Sequence, residues 1–454
     1  MRRPAFLFSL ITLSISLAPA GLATGTSAAA LDFLHVNVTG TGGRIVDSKG
    51  QEVFLKGVNF GGWLMYEDWL VKPPTLNFPL PPGQYQNEPN LSPLLDQHYG
   101  AGAGQVFFNG IRDNFITEDD FLQVAQLGGN VVRIPVAAWL FDDGTGFRYL
   151  DQALTWAENS NVRVIIDLHA APGCQTPSPF CLSSGTATQF WSTPASQQQT
   201  LDLWTSIAAR YSDRAVVAGY DILSEPAISK NPTQVPLASA LQDFYTRLIA
   251  AIRAVDTRHI LFVEGNGWAL DLSIFASNGL GSIDSNTAYS LHLYRDEQCP
   301  SGADMEADIL DFVFWQMSYV ATHQRPVYVG EFGGSCDEWM TAAFNVLLRP
   351  DVNLRWATYF TWKSAAKDAS MPGKPISSIV DDSAWTALLS KLSAGQTVST
   401  GEFTAGMTAL RSSNFELRAG AVTELERYFA VLPEEATTTG GSSPSGGFHN
   451  LALK

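Results

Sequence analysis

The chain has 454 residues, of which 45% are hydrophobic and 16% are charged, and its formal net charge is −16. This length suits two or three average domains, or one large barrel with extra loops. Nucleic acid is excluded as an expected partner, because phosphate binding needs clusters of Lys and Arg that an acidic chain of this kind does not carry.

Residues 1–30 have the pattern of a secretory signal peptide. Arg2 and Arg3 are basic, Ala5 to Ala18 is mostly apolar, and Ala28-Ala29-Ala30 offers a small-residue cleavage site. No later stretch reaches the roughly twenty apolar residues that a membrane span needs. We expect a secreted, extracellular protein without membrane insertion; an uncleaved N-terminal anchor is the alternative.

A β-hairpin is predicted next, because segments 44–47 and 52–56 flank the turn Ser48-Lys49-Gly50-Gln51. After the hairpin, apolar strands alternate with amphipathic helical patterns. The predicted strands are 54–59, 131–135, 163–169, 218–223, 259–263, 288–293, 326–331 and 357–362.

Eight strands with intervening helices predict a (β/α)8 TIM barrel. A doubly wound open sheet is the main alternative, but it usually has fewer strands and a Gly-rich phosphate turn after the first. Here that turn is Asn59-Phe60-Gly61-Gly62-Trp63, which places a Trp where a phosphate loop needs small residues. The barrel is therefore the preferred fold.

Two segments fall outside the barrel pattern. Residues 72–114, rich in Pro, Gly and Asn, form a long insertion after the first strand, and loops of that length are usually functional or disordered. Residues 437–454 are a low-complexity tail, which we expect to be disordered. Residues 31–436 are predicted to form one folded domain. Asn37 and Asn90 begin sequons for N-glycosylation, which export would permit.

Export also makes disulfide bonds plausible for the four cysteines. Cys174 and Cys181 enclose a Pro-rich loop, while Cys299 follows one predicted strand end and Cys336 follows the next. Of the three possible pairings, Cys174–Cys181 with Cys299–Cys336 joins neighbours in each case, and we predict it. No spacing in the sequence suggests structural zinc, so no metal is expected.

Two glutamates each follow a short apolar run at a predicted strand end. Glu225 follows Gly219-Tyr220-Asp221-Ile222-Leu223-Ser224, and Glu331 follows Val327-Tyr328-Val329-Gly330. A buried carboxylate is costly unless it is paired, and catalytic residues of (β/α)8 barrels come from strand ends. Two such acids suit the hydrolysis of a glycosidic bond. The alternative is that each is a salt-bridged structural residue.

Five other polar or aromatic residues lie at predicted strand ends: Arg133, His169, His292, Tyr294 and Trp362. Each alone has an ordinary structural explanation, such as an ion pair, a core histidine or an aromatic plug. Together they predict a sugar pocket, in which Arg133 and Tyr294 hold one carboxylate ionised and the histidines bond sugar hydroxyls and the acid. Trp362 would stack on a pyranose. Further candidate sugar platforms are Trp63, Tyr66, Trp69, Trp139, Trp191 and Trp268.

At these residues the chain resembles glycoside hydrolase family 5, a retaining (β/α)8 family, from about Ile45 to Lys363. The densest stretch resembles the fungal exo-β-1,3-glucanase branch, as in Val132-Arg133-Ile134-Pro135-Val136 and Asp167-Leu168-His169-Ala170-Ala171-Pro172-Gly173. The resemblance implies that Glu225 is the acid/base and Glu331 the nucleophile. It also implies active-site positions for Arg133, His169, His292, Tyr294 and Trp362.

Two departures from the family pattern stand out. Ser224 replaces the Asn that precedes the acid/base and normally bonds the sugar 2-hydroxyl, an interaction that strengthens in the transition state. Ser364-Ala365-Ala366-Lys367-Asp368 replaces the acidic and aromatic stretch that usually follows Trp362-Lys363 in the exo-glucanase branch. The first departure bears on rate and sugar preference, and the second on subsite chemistry.

The sequence thus predicts a secreted, monomeric, retaining β-glycosidase that needs no cofactor and acts on β-glucan, in the first place β-1,3-glucan. Cellulase, β-1,6-glucanase and β-mannanase specificities remain open, since loops set them. A non-catalytic carbohydrate-binding protein on the same barrel is the alternative that Ser224 favours. Glu264, at the fifth strand end, is expected to be a structural or subsite residue. Exo or endo action depends on whether the insertion closes the cleft.

Overall fold

A computed structural model describes residues 31–39, 42–72, 80, 83–182, 188–228, 235–277, 279, 284–295, 302–334, 336–352, 354–366 and 374–431. The predicted signal peptide, the tail at 437–454 and Cys299 lie outside the described residues. Within the described ranges, no helix is both long enough and apolar enough to cross a membrane.

Eight parallel strands close into a barrel, which confirms the predicted fold. The last strand pairs with both the first and the seventh, and this pairing closes the sheet. The barrel strands are β3 (Lys56–Asn59), β4 (Val131–Ala137), β5 (Arg163–Ala170), β6 (Val217–Asp221), β7 (Ile260–Glu264), β8 (Thr287–Arg295), β9 (Val327–Gly334) and β10 (Ala357–Tyr359).

The N-terminal hairpin is present, but its arms differ from the prediction. Strand β1 (His35–Thr39) pairs antiparallel with β2 (Gly42–Val46), whereas the predicted second arm contributes a single bridge between Val46 and Glu52. The reason is that the chain after Glu52 turns into the barrel, where Leu55 is fully buried.

Helices surround the barrel and follow its strands. They are α1 (Glu88–Tyr99), α2 (Ala103–Phe115), α3 (Glu118–Gln126), α4 (Thr145–Ser160), α5 (Pro194–Tyr211), α6 (Val235–Arg253), α7 (Asn266–Ala269), α8 (Gly302–Val320), α9 (Asp337–Leu347), α10 (Ser383–Ser393), α11 (Thr400–Thr408) and α12 (Ala419–Phe429). A small sheet of β11 (Lys363–Ser364), β12 (Ser377–Ile379) and β13 (Phe415–Leu417) follows the barrel.

The described part of the insertion after β3 is largely helical rather than an irregular loop. Helix α1 begins at an Asn87 cap, whose side chain accepts the backbone N–H of Asn90, and it buries Leu91 and Leu95. The side chain of Asn87 also donates to the carbonyls of Pro179 (2.9 Å) and Leu182 (2.7 Å). The insertion is therefore fixed to the loop that contains the predicted disulfide.

The lower end of the barrel, where the strands begin, is apolar. A separate hydrophobic cluster fills it, and the hairpin contributes Ile45 from below. Other members of this cluster are Leu34, Leu55, Val131, Ile165, Ala218, Ile260, Phe262, Ala288, Tyr328 and Trp356. Burying an aliphatic side chain of this size stabilises the fold by roughly 1.5–3 kcal/mol. The strands are thereby anchored at the end opposite to the polar side chains.

Candidate active site

Arg133, two residues into β4, is fully buried at the centre of the barrel's upper end. Its guanidinium donates to Glu331, to Asp221 (3.1 Å) and to Glu264 (3.3 Å). It also lies 3.1 Å from a carboxylate oxygen of Asp167. Burial alone would lower the pKa of Arg133, but these carboxylates raise it well above its usual value. One permanent cation thus holds several carboxylates together.

Glu331 lies in β9 and is almost fully buried. The Tyr294 hydroxyl donates to it at 2.5 Å, and the Nδ1 atom of His292 lies 3.8 Å away. Burial alone would raise the pKa of Glu331, but His292 and Arg133 lower it to about 2. This carboxylate is therefore ionised at neutral pH, and one of its oxygens lies beside Tyr294.

Glu225 follows β6 and has a positive φ of 49°, a backbone conformation that residues other than Gly rarely adopt. Its Oε1 atom lies 2.9 Å from Nδ1 of His292. Burial raises the pKa of Glu225, and the negative charge of Glu331 raises it further, while His292 acts in the opposite direction. The pKa of Glu225 is thus shifted above its usual value, and the pKa of Glu331 below it.

A carboxylate oxygen of Glu225 and one of Glu331 lie within 4.8 Å of each other. Retaining glycosidases place their two carboxyl groups about 5–5.5 Å apart, whereas inverting enzymes separate them by about 6.5–9.5 Å to admit a water. The geometry therefore suits direct attack by one carboxylate while the other supplies a proton.

Two histidines complete the charge balance. The Nδ1 atom of His169 lies 2.8 Å from Asp167. Burial alone would lower the pKa of His169, but the negative charge of Asp167 outweighs this effect, and the pKa is raised to about 9. Burial alone would also lower the pKa of His292, but Glu264 and Glu331 raise it well above its usual value. Both histidines are therefore cationic at neutral pH.

Ser224 lies inside the site and is fully buried. Its hydroxyl accepts from Arg133 at 3.3 Å, and its backbone carbonyl accepts from the Gln175 side chain at 2.7 Å. Arg133 and Gln175 thus fix the residue that precedes Glu225 on both its side chain and its backbone.

Two predicted sugar contacts are corrected by the structure. Trp63 is 1% exposed, donates to the carbonyl of Arg112 and stacks on Trp156, so it is a core residue. Trp362 is also 1% exposed, and its indole N–H donates to Asp120 in α3, outside the barrel. Strand β10 ends at Tyr359, so Trp362 does not lie at the end of the eighth strand, where the sequence analysis placed it.

Phe360 occupies the position predicted for Trp362. Its ring lies 6.5 Å from that of Tyr294 and 5.7 Å from that of Trp69, which is half-buried. The sequence offered a signal for this residue, since it is the aromatic residue that directly follows the eighth strand.

Glu67 is a further buried acid that the sequence reading missed. Its carboxylate accepts the backbone N–H of Gly62 at 3.0 Å, and burial raises its pKa to about 8. His169 lowers the pKa of Glu67, whereas the negative charges of Glu331 and Glu225 raise it further. An acid within the apolar stretch 63–71 was the available signal.

Cys174 and Cys181 are bridged with a Cα–Cα distance of 5.5 Å, which confirms the first predicted disulfide. Phe180 from this loop packs over His169, with 5.0 Å between ring centroids. The loop therefore forms one wall of the site. The predicted bridge between Cys299 and Cys336 stays a prediction, because Cys299 lies outside the described residues.

Comparison with known proteins gives the same family as the resemblance in the sequence. The family model described as Cellulase (glycosyl hydrolase family 5) matches residues 101–367. A probable glucan 1,3-beta-glucosidase A of Aspergillus niger is 29% identical over 74% of this chain and 77% of its own length. A beta-xylosidase of Phanerodontia chrysosporium is 30% identical over 57% of this chain and 52% of its own length. The chain spans about half the length of the first curated relatives that it matches.

Solved structures with the same fold include a rutinosidase from Aspergillus niger, with a TM-score of 0.56, 18% identity, and coverage of 71% of this chain and 93% of that one. A hyperthermophilic endocellulase from Pyrococcus horikoshii has a TM-score of 0.52, 16% identity, and coverage of 88% and 99%. At such identities these structures show the fold alone. Because the family model covers more than half of the sequence, the chain belongs to glycosyl hydrolase family 5.

Proposed function

We propose that this protein is a retaining β-glycosidase in which Glu331 is the nucleophile and Glu225 the acid/base. One observation carries the proposal: an ionised carboxylate and a carboxyl group of raised pKa face each other with oxygens within 4.8 Å. Neighbouring carboxyls with different pKa values suit different roles in acid–base chemistry.

In the first step Glu225 gives its proton to the glycosidic oxygen as the bond from that oxygen to the anomeric carbon breaks. A carboxylate oxygen of Glu331 attacks the anomeric carbon from the opposite face and forms a glycosyl ester. The departing chain leaves as an alcohol. Tyr294 and Arg133 hold Glu331 in its ionised form for this attack.

In the second step the ester at Glu331 no longer carries the negative charge that raises the pKa of Glu225. The pKa of Glu225 is therefore lower than before, so Glu225 stays ionised after giving up its proton and can act as the base that accepts a proton from an incoming water. That water attacks the anomeric carbon, the ester bond breaks, and Glu331 regains its charge. The electrostatic coupling of the two glutamates thus supports both roles of Glu225.

The substrate we propose is β-glucan, with β-1,3-glucan first. The support is the resemblance to relatives named glucan 1,3-beta-glucosidase, of which the Aspergillus niger protein is covered over most of its length. A β-xyloside is the second candidate, because the Phanerodontia chrysosporium relative is named a beta-xylosidase. Export and a monomeric state belong to the same proposal and rest on the sequence.

Substrate assays test the proposal directly. Laminarin, pustulan, cellulose and mannan, with product lengths, would be compared beside 4-nitrophenyl β-glucoside and β-xyloside. We expect the fastest hydrolysis on laminarin and on the glucoside. Preference for the xyloside would transfer the proposal to the second candidate, and inactivity on all six would overturn it in favour of a carbohydrate-binding protein.

A further inference from the structure

Glu264 is a fully buried acid at the end of β7 that neither step of the proposed reaction uses. Strand β7 lies between β6, which leads to Glu225, and β8, which carries His292. The acid is thus placed between two parts of the site that meet at Glu225.

One oxygen of Glu264 accepts the backbone N–H of Glu225. The other lies 3.1 Å from Nε2 of His292 and accepts from Arg133 at 3.3 Å. His292 in turn lies 2.9 Å from the Glu225 carboxyl through its Nδ1 atom. Glu264 therefore holds Glu225 twice, directly at the backbone and through His292 at the side chain.

The backbone contact matters because Glu225 has its φ of 49° in the left-handed region. Such a conformation persists only where the surroundings impose it. Within the described residues, the Glu264 carboxylate is the acceptor for this N–H, and Pro226 follows directly. Without the acceptor, Glu225 would be free to relax and to move its carboxyl away from the leaving group.

We propose that Glu264 is a positioning residue that sets the orientation of the acid/base Glu225 through its backbone N–H and through His292. This inference rests on the proposed function for the role of Glu225. Charged and titratable groups facing Glu225 are Glu67, His169, Glu264, His292, Tyr294 and Glu331.

The test compares Glu264→Gln and Glu264→Ala with Asp256→Asn. Asp256 is a matched control, because it is a buried acid that accepts backbone N–H groups and contacts a histidine, His259, beside the lower end of β7. Its loss should lower stability without touching Glu225. The glutamine oxygen can still accept the Glu225 N–H, but it lacks the charge that holds His292.

The readout is the dependence on the leaving group. A misplaced acid should cost roughly 10- to 100-fold in kcat/KM on a phenyl β-glycoside, which needs protonation. On a 2,4-dinitrophenyl β-glycoside, which does not, the loss should be within about threefold. On the phenyl glycoside, Glu264→Gln should lose less kcat/KM than Glu264→Ala. Azide should raise kcat of both Glu264 variants. Asp256→Asn should match the wild type on each substrate and in its response to azide.

Equal losses on both substrates, or a profile like that of Asp256→Asn, would overturn the positioning role while leaving the proposed function intact. A wild type inactive on both glycosides would instead contradict the proposed function. Crystal structures keep the inference testable in that case: in Glu264→Ala, or in Glu264→Gln if the alanine variant does not fold, we expect a lengthened contact between His292 and Glu225. In the alanine variant φ of Glu225 should also leave the left-handed region. Unchanged geometry at Glu225 would refute the inference.

Discussion

The two ends of the barrel interior are built from opposite chemistry. The lower end is filled by apolar side chains such as Ile165 and Ile260, whereas Arg133 and its carboxylates occupy the upper end of the same strands. Apolar packing is stabilising in its own right, but buried charges are tolerated only as a complete set of partners. The lower end therefore stabilises the fold, and this stability offsets the cost of burying the charges of the reactive site at the upper end.

Removing the nucleophile should have the largest effect on activity. In Glu331→Ala no glycosyl ester can form, so we expect the rate on ordinary substrates to fall by at least about 10⁴-fold. Initial rates on laminarin and on an aryl glycoside would measure this. Added azide should not restore a reaction with retained configuration, and rescue with retention would show that Glu331 has another role.

Removing the acid/base should be severe but selective. In Glu225→Ala polysaccharide hydrolysis should fall by roughly 10²- to 10⁴-fold, while an activated aryl glycoside still forms the intermediate. Azide needs no general base, so it should speed breakdown of the intermediate and yield a β-glycosyl azide. Product analysis by NMR measures this, and an α-azide or no azide product would contradict the assignment.

The comparison of the two ends predicts different costs for their residues. Arg133→Met leaves several carboxylates without their cation, so the free energy of unfolding should fall by about 3–5 kcal/mol along with activity. The matched change at the lower end, Ile260→Val, should cost about 0.5–1.5 kcal/mol. Its activity should match the wild type. Chemical denaturation measures both, and a neutral Arg133→Met would refute the charge network.

The last effect concerns the pH dependence of stability. The pKa of Glu67 is raised by burial to about 8, so the folded state retains a proton that the unfolded state releases above its ordinary value of 4.5. Its contribution therefore favours folding less and less as pH rises from about 4.5 to 8. Glu67→Gln should remove this decline, which at about 1.4 kcal/mol for each pKa unit amounts to at most roughly 5 kcal/mol relative to wild type between pH 4.5 and 8. Parallel stability curves for the two proteins would contradict the raised pKa.

The sequence was sufficient where strand periodicity decides the outcome. Arg133, His169 and His292 lie within β4, β5 and β8, so their positions followed from the predicted strands. It failed at Trp362 because β10 ends before that residue and the chain direction changes. The pairing of Glu264 with the Glu225 backbone depends on contacts between strands, which a pattern along one strand does not encode.

The insertion shows a second limit. Its Pro-, Gly- and Asn-rich composition predicted a loop, yet Asn87 caps a helix and residues 88–115 pack as α1 and α2. Such residues favour caps and the first helical turn as well as loops, so composition alone does not separate the two. The helices are stabilised by the tertiary burial of Leu91 and Phe108.

The anomeric configuration of the first-formed product tests the central claim most directly. Proton NMR during early hydrolysis of a β-glycoside, before mutarotation, distinguishes the two anomers. Because the oxygens of Glu225 and Glu331 lie within 4.8 Å, we predict that the β-anomer appears first. Initial formation of the α-anomer would contradict the double displacement and the roles assigned to both glutamates.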